Sequence, residues 1–307
     1  LIGLVGSEMC IETDIWLGTW DKGLWVIDSR DIDRAIQTGQ VRARQLKHPV
    51  IDGELSVFRI VEDRDRHLWI SSNRGCFEYI PSHGDFKTGQ WINYTHNGDD
   101  PNSLCSNFTT DIYPDTVTDN KTIWIGTRSG LNRIVFDADG KANCQRIELA
   151  ATNARERKVC SSDAFISTIH CDRKEGGGLW IATIGEGLFL MTEGRCGGKT
   201  PRFSCFDTSN SRFFNNELES LQEDDHGAFW IGGYGITRFD PRDHSIRHFT
   251  VKDQLQSNSF KIWASYRLRN GEMVFGGVKG FNIFHPDSIT DNDIRPRTAI
   301  SLSLIHI

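Results

Sequence analysis

"IWIGTRSGLNRI", residues 123–134, sets a tryptophan in a short apolar run, then a Gly-Thr pair, a polar turn and a second apolar run. The phrase returns with small changes as "IWLGTWDKGLWVI" (15–27), "LWISSNRGCFEYI" (68–80), "LWIATIGEGLFLM" (179–191), "FWIGGYGITRF" (229–239) and "MVFGGVKGFNIF" (273–284). Aligned on the aromatic at their second or third position, the copies give Trp16, Trp69, Trp124, Trp180, Trp230 and Phe275, separated by 53, 55, 56, 50 and 45 residues. A repeat of about that period with a Trp-Gly signature suits one propeller blade of four strands. Helical repeats would space apolar residues by three and four, and these units do not. They are short β-rich runs punctuated by Gly, Asp and Asn.

Each unit reads strand by strand. In the second, "LSVFRIVED" (55–63) gives a first strand, "LWISS" a second, "CFEYI" a third and "QWINYT" (90–95) a fourth, with "RDRH" and "NRG" as turns. Tight turns need residues that tolerate positive φ or cap their own backbone, which these supply. Second strands such as "IWIG" are apolar on consecutive residues, which implies burial on both faces, as stacked blades require. Gly18, Gly126 and Gly232 would let a neighbouring aromatic or backbone approach closely. The repeated tryptophans are therefore expected in the core. Trp25 and Trp263, outside the repeated position, are expected to pack between blades. The expected fold is an all-β propeller with six four-stranded blades over residues 1–289.

Composition agrees with a folded chain: 307 residues, 38% hydrophobic, with 18 Phe and 9 Trp, are enough to bury a large core. A formal net charge of −6 gives no electrostatic footprint for nucleic acid or an anionic membrane surface. No run approaches the roughly 18 apolar residues of a membrane span. The chain starts with Leu1, shows no secretory leader and begins inside a repeat, so it is read as a fragment.

Catalytic chemistry is not indicated. There is no Gly-x-Ser-x-Gly, phosphate loop or Rossmann fingerprint, and the 10 His show no zinc-ligand spacing. The acidic turns "EDRDRH" and "QEDDHG" lack the spacing of a calcium loop and read as hairpin turns. No catalytic residue, metal or cofactor is expected. Eight Cys form no Cys-x-x-Cys; Cys196 and Cys205 flank "GGKTPRFS" and could pair, although free buried thiols are the favoured account.

The pattern resembles the two-component regulator propeller repeats in the sensor region of hybrid two-component histidine kinases. The pieces that carry the resemblance are "NSLCSNFTTDIY" (102–113) before "IWIGTRSGL", and "DQLQSNSFKIWAS" (253–265) before "MVFGGVKGFNIFHP". Ser71-Ser72 and Gly232-Gly233 depart from its Gly-Thr pair, and "CDRKEGGGLW" has an enlarged turn. The resemblance implies a ring usually of seven blades, so the six units are read as part of a seven-bladed ring, the missing blade lying upstream of Leu1. It further implies a β-sandwich after the last blade, with residues 290–301 as the linker into it. It implies a periplasmic receptor that binds an oligosaccharide and controls glycan-use genes through a histidine kinase, with a homodimer as a further partner arrangement. "LSLIHI" (302–307) matches one reading frame of a sequencing-library adaptor and is set aside; the other reading makes "RTAISLSLIHI" the first strand of the sandwich.

In a propeller the turns between second and third strands, and the loops leading into each first strand, gather around the mouth of the central channel. Here those turns carry Trp20, Asp21 and Lys22; Asn73 and Arg74; Arg128; Glu186; Tyr234; and Lys279. No two are alike. Purely structural turns could use one Asn-Gly throughout, so the variety fits a surface that reads one ligand, although each residue also suits an ordinary solvated turn. Trp20 and Tyr234 would stack on a sugar ring while Arg74 and Arg128 offer paired donors to hydroxyls or a carboxylate. The leading loops add Asn107-Phe108, Phe213 to Asn216 and Asn258 to Phe260, whose repeated Asn is expected to have a local structural role. A second function class is an enzyme similar to streptogramin lyase, which would need a general base at the channel mouth. His48, His83, His170, His226 and His244 are expected at the opposite face, which disfavours it. A protein-interaction platform is the third.

Overall fold

A computed structural model describes residues 10–11, 14–46, 54–82, 85–115, 122–137, 139–150, 164–173, 177–195 and 200–289. The linker and adaptor segments, residues 290–307, lie outside the described residues. Among the described residues six antiparallel sheets follow one another in chain order, five of four strands and the last of three. Blade one holds Cys10–Ile11, Asp14–Gly18, Leu24–Ile27 and Arg44–Leu46, and blade two Val57–Glu62, Leu68–Ser72, Gly75–Ser82 and Asp85–Tyr94. Blade three holds Thr109–Asp115, Thr122–Thr127, Gly130–Phe136 and Ala142–Ile147, and blade four Phe165–Cys171, Leu179–Ile184, Leu188–Glu193 and Arg202–Phe206. Blade five holds Leu218–Glu223, Phe229–Gly233, Gly235–Phe239 and Ile246–Phe249; blade six holds Phe260–Arg267, Met273–Gly277 and Gly280–Phe284. The α-helix Ser29–Thr38 interrupts the pattern between the third and fourth strands of blade one.

The architecture is the expected all-β propeller, and its core lies between blades. Each of five apolar clusters spans one interface and contains the repeat tryptophan of the earlier blade: Trp16, Trp69, Trp124, Trp180 and Trp230. Second strands of the interior blades are buried on every residue or nearly so, because both faces meet a neighbour. Gly18 and Gly126 permit that approach: a Cβ would come within 2.8 Å of Val57 or 2.7 Å of Ile166, both on the first strand of the next blade.

The phrase itself now has a chemical explanation. In blades two to five the buried indole Nε1 donates to an Asp at the end of the first strand or just beyond it: Trp69 to Asp63 (2.8 Å), Trp124 to Asp115 (3.2 Å), Trp180 to Asp172 (3.0 Å) and Trp230 to Asp224 (2.9 Å). The same carboxylate caps the turn: Asp224 also accepts from the amides of His226 and Ala228. Acid-rich turns are therefore needed where a large indole is to be buried with its N–H paired. At the other end of the second strand, the hydroxyls of Thr19, Ser72, Thr127 and Thr183 donate to the carbonyls of Gly23, Gly75, Gly130 and Gly187, closing the next turn.

Three readings need correction. Phe275 does not stand where the tryptophans stand. In register Gly277 pairs Gly280 as Gly233 pairs Gly235, so Val274 is the counterpart of Trp230, and Phe275 faces back into the cluster with blade five. Trp25 is half-buried and its indole donates to the Lys22 carbonyl at 3.0 Å, capping its own turn instead of filling an interface. Trp263 sits in a bulge of its strand: residues 261–264 stand against Gly276 alone, with Trp263 at φ 59°, and its ring stacks on Phe58 of blade two in the channel.

Candidate functional site

The channel-mouth face is built by backbone hydrogen bonds that run from blade to blade. Gly23 donates to Leu55, Gly75 to Asn107, Gly185 to Asn216 and Gly235 to Asn258, each joining a second-to-third-strand turn to the loop leading into the next blade. Four of the six unlike turns, those of blades one, two, four and five, are thereby held on one face. The repeated Asn side chains lock those loops: Asn107 accepts from His96 N, Asn216 from Thr208 N and Asn258 from Val251 N.

The sequence-derived residues occupy this face as follows. Trp20 is 59% exposed and sits edge-on to Phe58 at 5.7 Å, its carbonyl accepting from the Ser56 hydroxyl. Asp21 and Lys22 are exposed and pair with each other at 3.1 Å. Asn73 is half-buried and spends its side-chain oxygen on Ser56 N at 3.0 Å, which is a structural task. Arg74, Arg128 and Lys279 are exposed, and Glu186 is half-buried. Tyr234 is 46% exposed, lies parallel to Phe214 at 5.2 Å and accepts from Asn258 Nδ2 at 3.2 Å.

Toward the axis the channel is filled. Phe58 stacks on Phe108 at 4.7 Å and on Trp263 at 4.9 Å, and Trp263 Nε1 reaches the Ser167 carbonyl on blade four at 3.0 Å. Below this plug the first strands carry charge. Asp111 is buried, accepts from Ile169 N at 2.7 Å and lies 3.4 Å from Arg59. Burial pushes its carboxyl above the usual range, against the pull of Arg59. Burial does the same to Glu219, opposed by Lys261.

Sequence reasoning placed Phe108 and Phe214 on the leading loops at the mouth without giving their rings a role, and it missed His248 and Phe58. The doublet Phe213-Phe214 also signals an outward ring, since two adjacent loop residues cannot both face one core, and Phe213 takes the buried place. His248 gave no signal, because its position depends on the register of a fourth strand. His170 and His226 lie toward the opposite face, paired with Glu223 and Asp287 at 2.8 and 2.9 Å, and His244 lies there in the turn before Ile246–Phe249. His48, His83 and Cys196 lie outside the described residues. Among the described residues no group of three His, Cys, Asp or Glu is placed to hold a metal ion, and none of the helices is long and apolar enough to cross a membrane.

No protein-family model matches the chain. Its sequence is 22% identical over 305 residues to histidine kinase P4 of Formosa agariphila, covering 97% of this chain and 20% of that protein. Its structure is similar to the extracellular domain of a hybrid two-component system, BT3049, of B. thetaiotaomicron, with a TM-score of 0.66 and 21% identity over 91% of this chain and 33% of that one. It is also similar to virginiamycin B lyase from Staphylococcus aureus, with a TM-score of 0.56 and 12% identity over 88% of this chain and 75% of that one. The chain thus spans a fifth of the curated kinase and a third of the extracellular domain. These likenesses fix the fold: the chain is a β-propeller of the kind found in the extracellular domain of a hybrid two-component system, and its sequence is similar to part of a histidine kinase.

Proposed function

We propose that this propeller is the extracytoplasmic ligand-sensing part of a hybrid two-component signalling protein, that it binds an oligosaccharide at its channel-mouth face, and that it controls glycan-use genes through a histidine kinase. The observation that carries the reading is the mouth itself: two large aromatics, Trp20 and Tyr234, stand exposed among charged and amide turn residues, each backed by another ring. Sugars are bound in this way, with flat apolar contact from aromatics and orientation from a few polar groups. The likeness to the extracellular domain of a hybrid two-component system and to a histidine kinase supports the signalling role and a periplasmic location.

A ligand moves such a receptor only through unequal affinity for two arrangements, so it must bridge parts that move, such as the propeller and a following β-sandwich, or two subunits. The likeness to virginiamycin B lyase favours a catalytic alternative, but His170, His226 and His244 stand at the face away from the mouth, and His248, on the mouth side, is stacked on Phe214 and hydrogen-bonded to Thr237. Calorimetric titration of the full-length protein with a panel of oligosaccharides tests the reading. Binding of one class, with signalling lost in Trp20→Ala, is expected; binding of a protein partner and of no oligosaccharide would replace the receptor by an interaction platform.

A further inference from the structure

The rim of blade five carries three parallel rings, Phe214, Tyr234 and His248, of which the channel-mouth reading uses Tyr234 and its backing ring Phe214. Phe214 lies 4.7 Å from His248 at an interplanar angle of 7°, and 5.2 Å from Tyr234 at 14°. Tyr234 and His248 are themselves 6.4 Å apart at 9°. These separations set Tyr234 and His248 side by side, with Phe214 lying across both and its outer face turned to solvent. Phe214 is 61% exposed.

Four chain segments hold the assembly rigid. Phe213 is anchored in the core between blades four and five, so its neighbour is forced outward. Tyr234 is tied by its hydroxyl to Asn258 of the loop leading into blade six. His248, on the fourth strand of blade five, shares a hydrogen bond at 3.0 Å between Nδ1 and the Thr237 hydroxyl. Its ring rests on Gly235, where a Cβ would come within 2.9 Å of Cε1. Gly235, at φ 77°, is thus required both by the turn and by the ring laid on it. An exposed ring fixed in advance loses little freedom when a ligand covers it.

We propose that Phe214, seated on Tyr234 and His248, is the stacking subsite for one pyranose ring of the oligosaccharide, at the rim of blade five and not in the central channel. This rests on the receptor reading above. Two observations select it. The channel is closed at the depth of Phe58 by Trp263, so a sugar chain cannot descend there. The open surface is a flat, exposed ring face backed by two parallel rings, which matches the C–H face of a pyranose, whereas an apolar peptide side chain needs a concave pocket.

The test is calorimetry on the full-length protein with neutral hexasaccharides of glucan, mannan, galactan and xylan, using the unaltered chain, Phe214→Ala, Phe214→Trp, His248→Gln and Trp20→Ala. Thermal melting checks that each variant folds. For the hexasaccharide that binds, Phe214→Ala is expected to weaken binding roughly tenfold or more, equivalent to about 1.4 kcal/mol. Phe214→Trp should retain binding. His248→Gln, which removes support and leaves the open face untouched, should fall between the two. Binding within about twofold of the unaltered chain in Phe214→Ala overturns the rim subsite and leaves the receptor reading standing, the more so if Trp20→Ala abolishes binding. Failure of every hexasaccharide to bind the unaltered protein overturns both.

Discussion

Blades five and six carry the same phrase in the same register, yet corresponding side chains meet opposite fates. Ile236 is 1% exposed and Phe281, its counterpart, is 64% exposed. Trp230 is buried in the interface with blade six, whereas Val274 at the same register is only half-buried. Ile283 is exposed where blade five has Arg238. The sheet does not make a blade apolar on both faces stable by itself; a second sheet packed against it does. Among the described residues, the outer face of blade six shows what every interior blade would present without its neighbour, an apolar surface of the kind that marks an interface.

The comparison is broken or sharpened by substitution. Trp230→Ala should cost the most, about 3–5 kcal/mol in chemical unfolding, by emptying the blade five to blade six interface. Val274→Ala should cost under about 1 kcal/mol; equal losses would mean that blade six is covered in solution. Ile236→Ala is expected to cost about 2–4 kcal/mol against about 0.5 kcal/mol or less for Phe281→Ala. Asp224→Ala should cost about 1–3 kcal/mol, since it strands the Trp230 indole and two turn amides. Loss of the exposed neighbour Asp225, whose partners are Arg267 and Arg173, should cost about 1 kcal/mol or less.

The smallest effect is a pH dependence that blade five has through its fourth strand. Burial holds the His248 imidazole below its ordinary range, with Asp253 pulling the other way. The folded state therefore takes up its proton less readily than the unfolded chain. Its contribution is absent above the unfolded value of about 6.5, and stability declines as pH falls from there to the lowered folded value, below which the loss levels off. Melting curves across that window should be flatter in His248→Gln; an unchanged slope would place the titration elsewhere.

His67 in blade two gives the opposite sign. The hydrogen bond that its Nδ1 donates to the buried Glu78 carboxylate raises its pKa against burial, with Asp63 and Asp65 adding to the rise. That stabilisation is complete below the unfolded value of about 6.5 and is lost as pH climbs through the raised folded value.

Much of this was legible in the chain. The recurring phrase, its period and its turn chemistry determined the β class, the blade count and the burial of Trp16, Trp69, Trp124, Trp180 and Trp230. Period and turn residues act locally, so they survive reading one residue after another. The helix Ser29–Thr38 was overlooked, although Ile32, Ala35 and Ile36 recur at helical spacing, because its blade already accounted for the flanking strands. The turns bearing Trp20, Asp21, Lys22, Asn73, Arg74, Arg128, Glu186, Tyr234 and Lys279 could be named from order alone.

What only the tertiary structure decided is which of these side chains face each other. Phe214 meets Tyr234 and His248 from three separate segments, and Trp263 crosses from blade six to Phe58 of blade two and the Ser167 carbonyl of blade four. Val274, and not Phe275, holds the tryptophan position because the register is set by the turn at Gly277 and Gly280, not by the nearest aromatic. A strand alternates its faces at every residue, so one step of register exchanges inside for outside, and that step is fixed by partners distant in sequence.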